Sequence, residues 1–247
     1  MKKYSILTVV SEQYQKFAKV FLESALDKLF MDKIEEICIL NTGLSDESIS
    51  DLKNLSDKIR FVNYDKKINS NEAWDSGWQE NVLLKTTFVR NYLVENNITS
   101  FMIDVDSMFL NDVSDILDLE EDIILCDRSD VWGGMPYIAS FVGFLNVEKS
   151  IQFLGGWIDT MKNTTNFATK ETPALNQMVT NSADYNLGAL SHKIIGLYNE
   201  GDLSENTRIV HFKGGGFSEG KSLEDVVSLR FERFKTLQHE INEYLER

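Results

Sequence analysis

The first quarter of the chain alternates between short apolar runs and longer amphipathic stretches. Apolar runs at 4–10, 37–40 and 59–64 predict buried strands, because strands covered on both faces are almost continuously hydrophobic. Between them, apolar residues recur at helical spacing over 14–30, and a shorter helix is predicted over 45–55. This alternation predicts a parallel sheet with right-handed crossovers.

The rest of the chain continues with a more mixed order of elements. Segment 100–110 is apolar and predicts one strand that carries two carboxylates near its end. The other predicted strands are 123–126, 137–147, 194–198 and 208–212. The other predicted helices are 79–95, 149–161, 173–180 and a long amphipathic helix from 222 to the C-terminus. Polar segments at 74–78 and 162–171 predict loops. The order of elements predicts one α/β domain over 1–247.

The net charge of −14 limits the classes of partner. Such a surface repels phosphate backbones and anionic lipid headgroups, so we expect neither nucleic acid nor a bare membrane surface as the main partner. A nucleotide is also anionic. An acidic protein that binds one needs a local positive centre, supplied by a metal ion or by a few placed Lys and Arg side chains.

The two cysteines and the hydrophobic pattern indicate the cellular compartment of the protein. Cys38 and Cys126 sit inside apolar runs, which predicts buried, reduced thiols. The first apolar run is too short for a secretory signal, and no apolar stretch approaches the roughly 20 residues that span a bilayer. We therefore predict a cytoplasmic protein without an integral membrane segment.

Asp104 and Asp106 stand two residues apart in the apolar segment 100–110. In an extended chain, residues at this spacing point to the same side, and strand ends are where open α/β sheets bind ligands. The two carboxylates repel each other unless a cation lies between them, and hard oxygen ligands suit Mg²⁺ or Mn²⁺. The alternative is a pair of solvated acids at a strand end.

Segment 80–112 resembles the donor-binding core of GT-A glycosyltransferases, in particular glycosyltransferase family 8 and the related nucleotide-diphospho-sugar transferases. A helix containing LLKTTFVRNYL leads into the apolar strand with its Asp-Val-Asp. The resemblance implies a GT-A (Rossmann-like) fold with a mostly parallel central sheet flanked by helices. It also implies that Asp106 binds a metal ion directly, that Asp104 contacts metal or ribose, that Val105 contacts the donor, and that Lys85 faces the donor. We expect Lys85 on an exposed face of its helix.

A second matching segment is RIVHFKGGG at 208–216. It resembles the family's His-x-Lys-Gly segment, which implies that His211 is the third metal ligand and that Lys213, Gly214 and Gly215 contact the diphosphate. Lys213 is thereby also a catalytic candidate. An imidazole can complete a Mn²⁺ site. Glycines let backbone N–H groups approach phosphate oxygens closely, and a lysine offers a point charge to a leaving diphosphate. For His211 taken alone, an ordinary strand histidine is the alternative.

Weaker resemblances fill the middle of the chain. Asn176 and Gln177 stand where the family has an Asp-Gln pair beside the anomeric carbon, which makes them catalytic candidates. The remaining donor-contact candidates lie on or beside predicted strands and are Thr8, Val9, Ser11, Asp127 and Ser140. Trp132 is a candidate for stacking on a sugar, and Trp157 is expected in the core. His192 and His239 are expected at the surface.

The sequence therefore predicts metal-dependent transfer of a sugar from a nucleoside diphosphate sugar, UDP-sugar by resemblance, to a glycan or other hydroxyl acceptor. The expected cofactor is Mn²⁺ or Mg²⁺, which neutralises the leaving diphosphate. The resemblance further implies retention of anomeric configuration. It assigns donor binding to about 1–130, and acceptor binding and completion of the metal site to about 131–247.

Two other functions remain open at this stage. A phosphatase of the haloacid dehalogenase type also ends a strand in Asp-x-Asp, and Lys193 with Gly201-Asp202 are candidates for its later motifs. That class usually has its nucleophile strand near the N-terminus, and it leaves the His-x-Lys-Gly-Gly-Gly segment unexplained. The other alternative is a non-catalytic glycan-binding protein on this fold.

Overall fold

The computed structural model describes residues 2–64, 76–131, 133–163, 171–181, 184–197 and 204–212, together with residues 232 and 235. Several predictions fall outside these ranges. They concern Lys213, Gly214, Gly215, Trp132, His239 and the C-terminal helix from Ser222.

Strands and helices alternate along the described residues. The strands are β1 (Tyr4–Val10), β2 (Ile34–Asn41), β3 (Ile59–Asn63), β4 (Ser100–Ile103), β5 (Ser107–Phe109), β6 (Ile123–Asp127), β7 (Tyr137–Phe144), β8 (Leu187–Ser191), β9 (Gly196–Leu197) and β10 (Ile209–His211). The helices are α1 (Gln15–Lys28), α2 (Asp46–Lys53), α3 (Ser76–Asn96), α4 (Val147–Asn163), α5 (Glu171–Asn181) and α6 (His192–Ile195). Short 3-10 turns cover Glu12–Tyr14 and Ser114–Asp118.

Seven of these strands form a central sheet in the order β3-β2-β1-β4-β7-β6-β8. Strand β7 runs antiparallel to both of its neighbours, β4 and β6, whereas the other neighbouring pairs are parallel. The sheet is thus mostly parallel, as the sequence predicted. The parallel strands β1 and β4 end side by side, which brings the residues that follow them to one edge of the sheet.

Helices cover both faces of this sheet. Successive strand residues face opposite sides, so Ile6 and Phe101 pack into one layer of the core with α1 and α2. Leu7 and Met102 pack into the other layer with α3, α4 and α5. The fully buried Trp157 belongs to this second layer, which confirms its predicted place in the core.

The apolar segment 100–110 is not the single strand that the sequence predicted. It is divided between β4 in the central sheet and β5 in a second, three-stranded sheet of order β5-β10-β9. The break falls at residues 104–106, where the segment leaves its neighbour β7 and begins to pair with β10. Continuous apolar character marks both strands as buried but does not reveal a change of pairing partner.

The part of the chain around α6 also differs from the prediction. Segment 194–198 was predicted as a strand. Residues 194 and 195 instead end the short helix α6, which the Ser191 side chain caps by accepting from the Lys193 backbone N–H, and β9 covers residues 196 and 197. Strand β8, with its half-buried pattern, was not predicted. His192, expected at the surface, is 1% exposed because α6 packs against β6, β8 and β10.

Cys38 and Cys126 are buried and are not joined in a disulfide, as predicted. Over the ranges that the structure describes, none of the helices combines the length and apolar character needed to cross a lipid bilayer.

Candidate metal centre

Asp104 and Asp106 lie in the connection between β4 and β5, where the chain passes from one sheet to the other. The Asp104 backbone N–H donates to the Ser140 carbonyl oxygen at 2.9 Å, which attaches this residue to β7. The Phe212 N–H donates to the Asp106 carbonyl oxygen at 2.9 Å, which attaches that residue to the end of β10. Both carboxylates are therefore carried on backbone that is fixed by hydrogen bonds to neighbouring strands.

His211, the last residue of β10, lies next to both acids. Its Nε2 is 3.2 Å from Asp106 Oδ1 and 3.6 Å from Asp104 Oδ2. The other ring nitrogen, Nδ1, is buried and has no hydrogen-bond partner among the described residues. Nε2 is thus the nitrogen that faces the carboxylates.

The three side chains have the geometry of a metal-binding cluster. One ligand atom from each of Asp104, Asp106 and His211 lies within 4.8 Å of the others. Asp106 and His211 are 5% exposed, and Asp104 is half-buried, which leaves the cluster open on one side. Two carboxylates and an imidazole are a donor set that fits a divalent cation, and a cation relieves the repulsion between the two acids.

Lys85 of α3 reaches the cluster from the second core layer. Its Nζ lies 2.6 Å from Asp104 Oδ1 and 2.8 Å from Glu171 Oε1. Burial would lower the pKa of Lys85, but the charges of Asp104 and Glu171 outweigh it and raise the pKa above the usual value. The expectation that Lys85 occupies an exposed helix face is wrong, because these two acids hold it at 7% exposure.

Glu171, the first residue of α5, is a member of this site that the sequence did not indicate. A glutamate in the first turn of a helix is ordinarily explained by the helix dipole. Nothing local relates Glu171 to Lys85, which lies on a different helix far earlier in the chain. A predicted start of α5 at residue 173 also placed Glu171 in a loop.

The predicted donor-contact residues lie on or just after β1, on β6 and β7, and between the two acids. Thr8 near the end of β1 and Ser140 of β7 are buried, and their hydroxyl oxygens lack hydrogen-bond partners among the described atoms. Val105, between the two acids, is buried in the core. Val9 and Ser11 are half-buried at the end of β1, and Asp127 ends β6 and accepts from the Ser129 N–H at 2.8 Å.

The two catalytic candidates on α5 have different surroundings. The Asn176 side chain is buried and bonded to backbone: its oxygen accepts from the Tyr137 N–H at 2.9 Å, and its amide donates to the carbonyls of Tyr137 (2.7 Å) and Thr172 (2.8 Å). These bonds join α5 to β7. Gln177 is exposed. The third candidate, Lys213, and its neighbours Gly214 and Gly215 follow His211 closely in sequence but lie outside the described residues.

Comparison with known proteins gives structural matches only. No protein-family model matches the chain, and no curated protein matches it either. The bifunctional glycosyltransferase WbbM matches 93% of this chain and 49% of its own, with a TM-score of 0.63 and 12% identity. GlyE, a glycosyltransferase of Streptococcus pneumoniae TIGR4, matches 93% and 60%, with a TM-score of 0.60 and 15% identity. The galactosyltransferase LgtC, in complex with donor and acceptor sugar analogues, matches 92% and 94%, with a TM-score of 0.56 and 10% identity.

These matches establish the fold. The chain has the GT-A fold that the sequence predicted, with a mostly parallel seven-stranded sheet between layers of helices. It spans about half the length of WbbM, somewhat more of GlyE and nearly all of LgtC.

Proposed function

We propose that this protein is a metal-dependent glycosyltransferase that moves a sugar from a nucleoside diphosphate sugar to a glycan or other hydroxyl acceptor. The observation that carries the proposal is the cluster of Asp104, Asp106 and His211 at the sheet edge of a GT-A fold. The three matching proteins are described as glycosyltransferases, and one of them holds donor and acceptor sugar analogues. Mn²⁺ or Mg²⁺ is the proposed ion and UDP-sugar the proposed donor.

The residues of the centre have distinct tasks in this proposal. Asp104, Asp106 and His211 Nε2 hold the cation, which when bound stabilises the negative charge of the departing diphosphate. Lys85 occupies Asp104 Oδ1 and leaves Oδ2 on the side of His211. Low exposure of Asp106 and His211 reduces competition from water and strengthens each charge interaction within the centre.

The donor and acceptor occupy neighbouring parts of the sheet edge in this proposal. Val9 and Ser11 lie under the nucleoside, while Lys213 and the Gly214 and Gly215 amides contact the diphosphate. Gln177, exposed on α5, is the catalytic candidate that remains available to a sugar. Donor binding by about 1–130, acceptor binding by about 131–247 and retention of configuration stay part of the proposal. A cytoplasmic location stays a prediction.

The phosphatase alternative is not favoured. It requires Lys193 near the acid pair, but Lys193 lies in α6, where its Nζ is 3.9 Å from Asp130 Oδ2. Among the residues that the structure describes, the lysine that contacts Asp104 is Lys85. A glycan-binding protein without activity is also not favoured, and it would release no nucleoside diphosphate from a nucleotide sugar.

Release of nucleoside diphosphate tests the proposal. The purified protein is incubated with a panel of nucleotide sugars and Mn²⁺, with and without excess EDTA. We expect release from a UDP-sugar, its loss in EDTA and its recovery when Mn²⁺ is restored. Absence of release from every donor, or full release in EDTA, contradicts the proposal. Release of inorganic phosphate from phosphomonoesters would support the phosphatase instead.

A further inference from the structure

A buried line of three charged side chains runs from the start of α5 to the metal centre. Glu171 Oε1 lies 2.8 Å from Lys85 Nζ, and the same Nζ lies 2.6 Å from Asp104 Oδ1. The side chains of Glu171 and Lys85 are 12% and 9% exposed, so little water screens the contact between them. Glu171 thus influences a residue of the cluster through an intervening lysine.

The backbone at Glu171 is anchored on two sides. The fully buried Trp157 of α4 donates its indole N–H to the Glu171 carbonyl oxygen at 3.0 Å. The Asn176 amide, in turn, joins the Thr172 carbonyl to β7. A carboxylate on an anchored backbone has a limited reach, and it therefore holds the Lys85 ammonium at one position.

The two oxygens of Asp104 face different partners. Oδ1 accepts from Lys85, whereas Oδ2 lies 3.6 Å from His211 Nε2. This division fixes the rotation of the carboxylate, so that one oxygen is directed at the cluster and the other away from it. Hydrogen-bonded partners that orient a ligating carboxylate in this manner contribute to metal affinity although they do not touch the ion.

We propose that Glu171 is a positioning residue of the metal centre, which holds Lys85 in place and thereby fixes the orientation of Asp104 for cation binding. This inference rests on the proposed function, because it takes the cluster to be a cation site. A competing explanation is that Glu171 merely adds a negative charge nearby, which would attract a cation from any position at a similar distance.

Two substitutions separate these explanations. Glu171→Gln keeps the length of the side chain and removes its charge. Glu171→Asp keeps the charge but is one methylene shorter, so the anchored backbone leaves it short of Lys85. Glu148→Gln is the matched control, because Glu148 is also a first-turn glutamate, of helix α4, and is exposed. Circular dichroism of the metal-free proteins verifies folding, and if Glu171→Gln does not fold, Glu171→Asp carries the test.

Mn²⁺ affinity is measured at a fixed concentration of UDP. Free Mn²⁺ is titrated into the protein, and electron paramagnetic resonance monitors the titration. We expect both Glu171 variants to bind Mn²⁺ at least about tenfold more weakly than the wild type, and Glu148→Gln to bind it equally well. Wild-type affinity in Glu171→Asp overturns the positioning role and leaves the proposed function intact. Absence of saturable Mn²⁺ binding in the wild-type protein overturns the proposed function, and this inference with it.

Discussion

Asp106 and His211 are 105 positions apart in sequence, yet Asp106 Oδ1 and His211 Nε2 lie 3.2 Å apart. The contact exists because β5, which follows Asp106, pairs with β10, which ends in His211. The strand pairing thus fixes the separation of two proposed ligands, and it does so through backbone hydrogen bonds that do not depend on a bound ion.

Replacement of Asp106 by Asn separates metal binding from folding. We expect Asp106→Asn to lower turnover more than about a hundredfold, because a cation that stabilises a leaving group contributes several kcal/mol. The metal-free variant should be at least as stable as the wild type, since one of two repelling carboxylates is gone. Turnover assays, and thermal unfolding with and without Mn²⁺, measure both effects. The control is Asp118→Asn, which changes an exposed acid. Wild-type turnover in Asp106→Asn would rule out the proposed metal centre.

Lys85 has a structural as well as a functional role. We expect Lys85→Met to destabilise the protein by about 3 kcal/mol, because Glu171 and the half-buried Asp104 would be left without their shared counter-ion. The control is Lys19→Met in α1, where a 58% exposed lysine pairs with Glu23 at 3.8 Å and should contribute at most about 0.5 kcal/mol. Urea unfolding gives both values. Equal, small effects would show that the Lys85 ion pairs are not maintained in solution.

The neighbours Asn176 and Gln177 should respond oppositely to substitution. Asn176→Asp replaces an amide that donates to two carbonyls by a carboxylate that accepts only, so we expect a loss of about 2 kcal/mol or more in the free energy of unfolding. Gln177→Ala alters an exposed side chain and should leave stability unchanged while lowering turnover. Denaturant unfolding and steady-state kinetics of both variants check this. Wild-type kinetics in Gln177→Ala would remove Gln177 from the catalytic candidates.

The attachment of α3 to the sheet should depend on pH. Burial tends to raise the pKa of Glu36, but hydrogen bonds from Arg60 and Tyr92 of α3 outweigh burial and hold it below its usual value. The stability that Glu36 contributes is therefore present above the usual glutamate pKa of about 4.3, and it is lost as the pH falls through the lower pKa of the folded protein. The difference in unfolding free energy between wild type and Glu36→Gln should shrink between about pH 6 and about pH 2. A difference that is independent of pH would contradict this.

Elements with strong local signals could be predicted from the sequence. Strand β1 matches its apolar run, and α2 lies within the predicted range 45–55, where Ser45 accepts from the Ser48 N–H and caps the helix. The acid pair and His211 were also found, because each stands in a short motif that resembles a known family. The structure brings these three side chains together, while metal binding itself remains a proposal.

Features that depend on contacts between distant segments could not be predicted. The division of 100–110 between two sheets is decided by pairing with β7 and with β10. The sequence of the segment itself does not show which strand each part pairs with. Lys85 was expected on an exposed face, because the acid that buries it from the other side, Glu171, lies on another helix. Asn176 was assigned to catalysis by resemblance, and only the fold reveals its bonds to Tyr137.

The passage of the chain from the central sheet to the second sheet has a mechanical consequence. Asp104 is hydrogen-bonded to the central sheet through Ser140, whereas His211 belongs to the second sheet. A cation held by both would act as a cross-link between two separately paired sheets, beside the short connection at residues 104–106. The ion would then do more than attract phosphate: it would restrict movement of one sheet relative to the other.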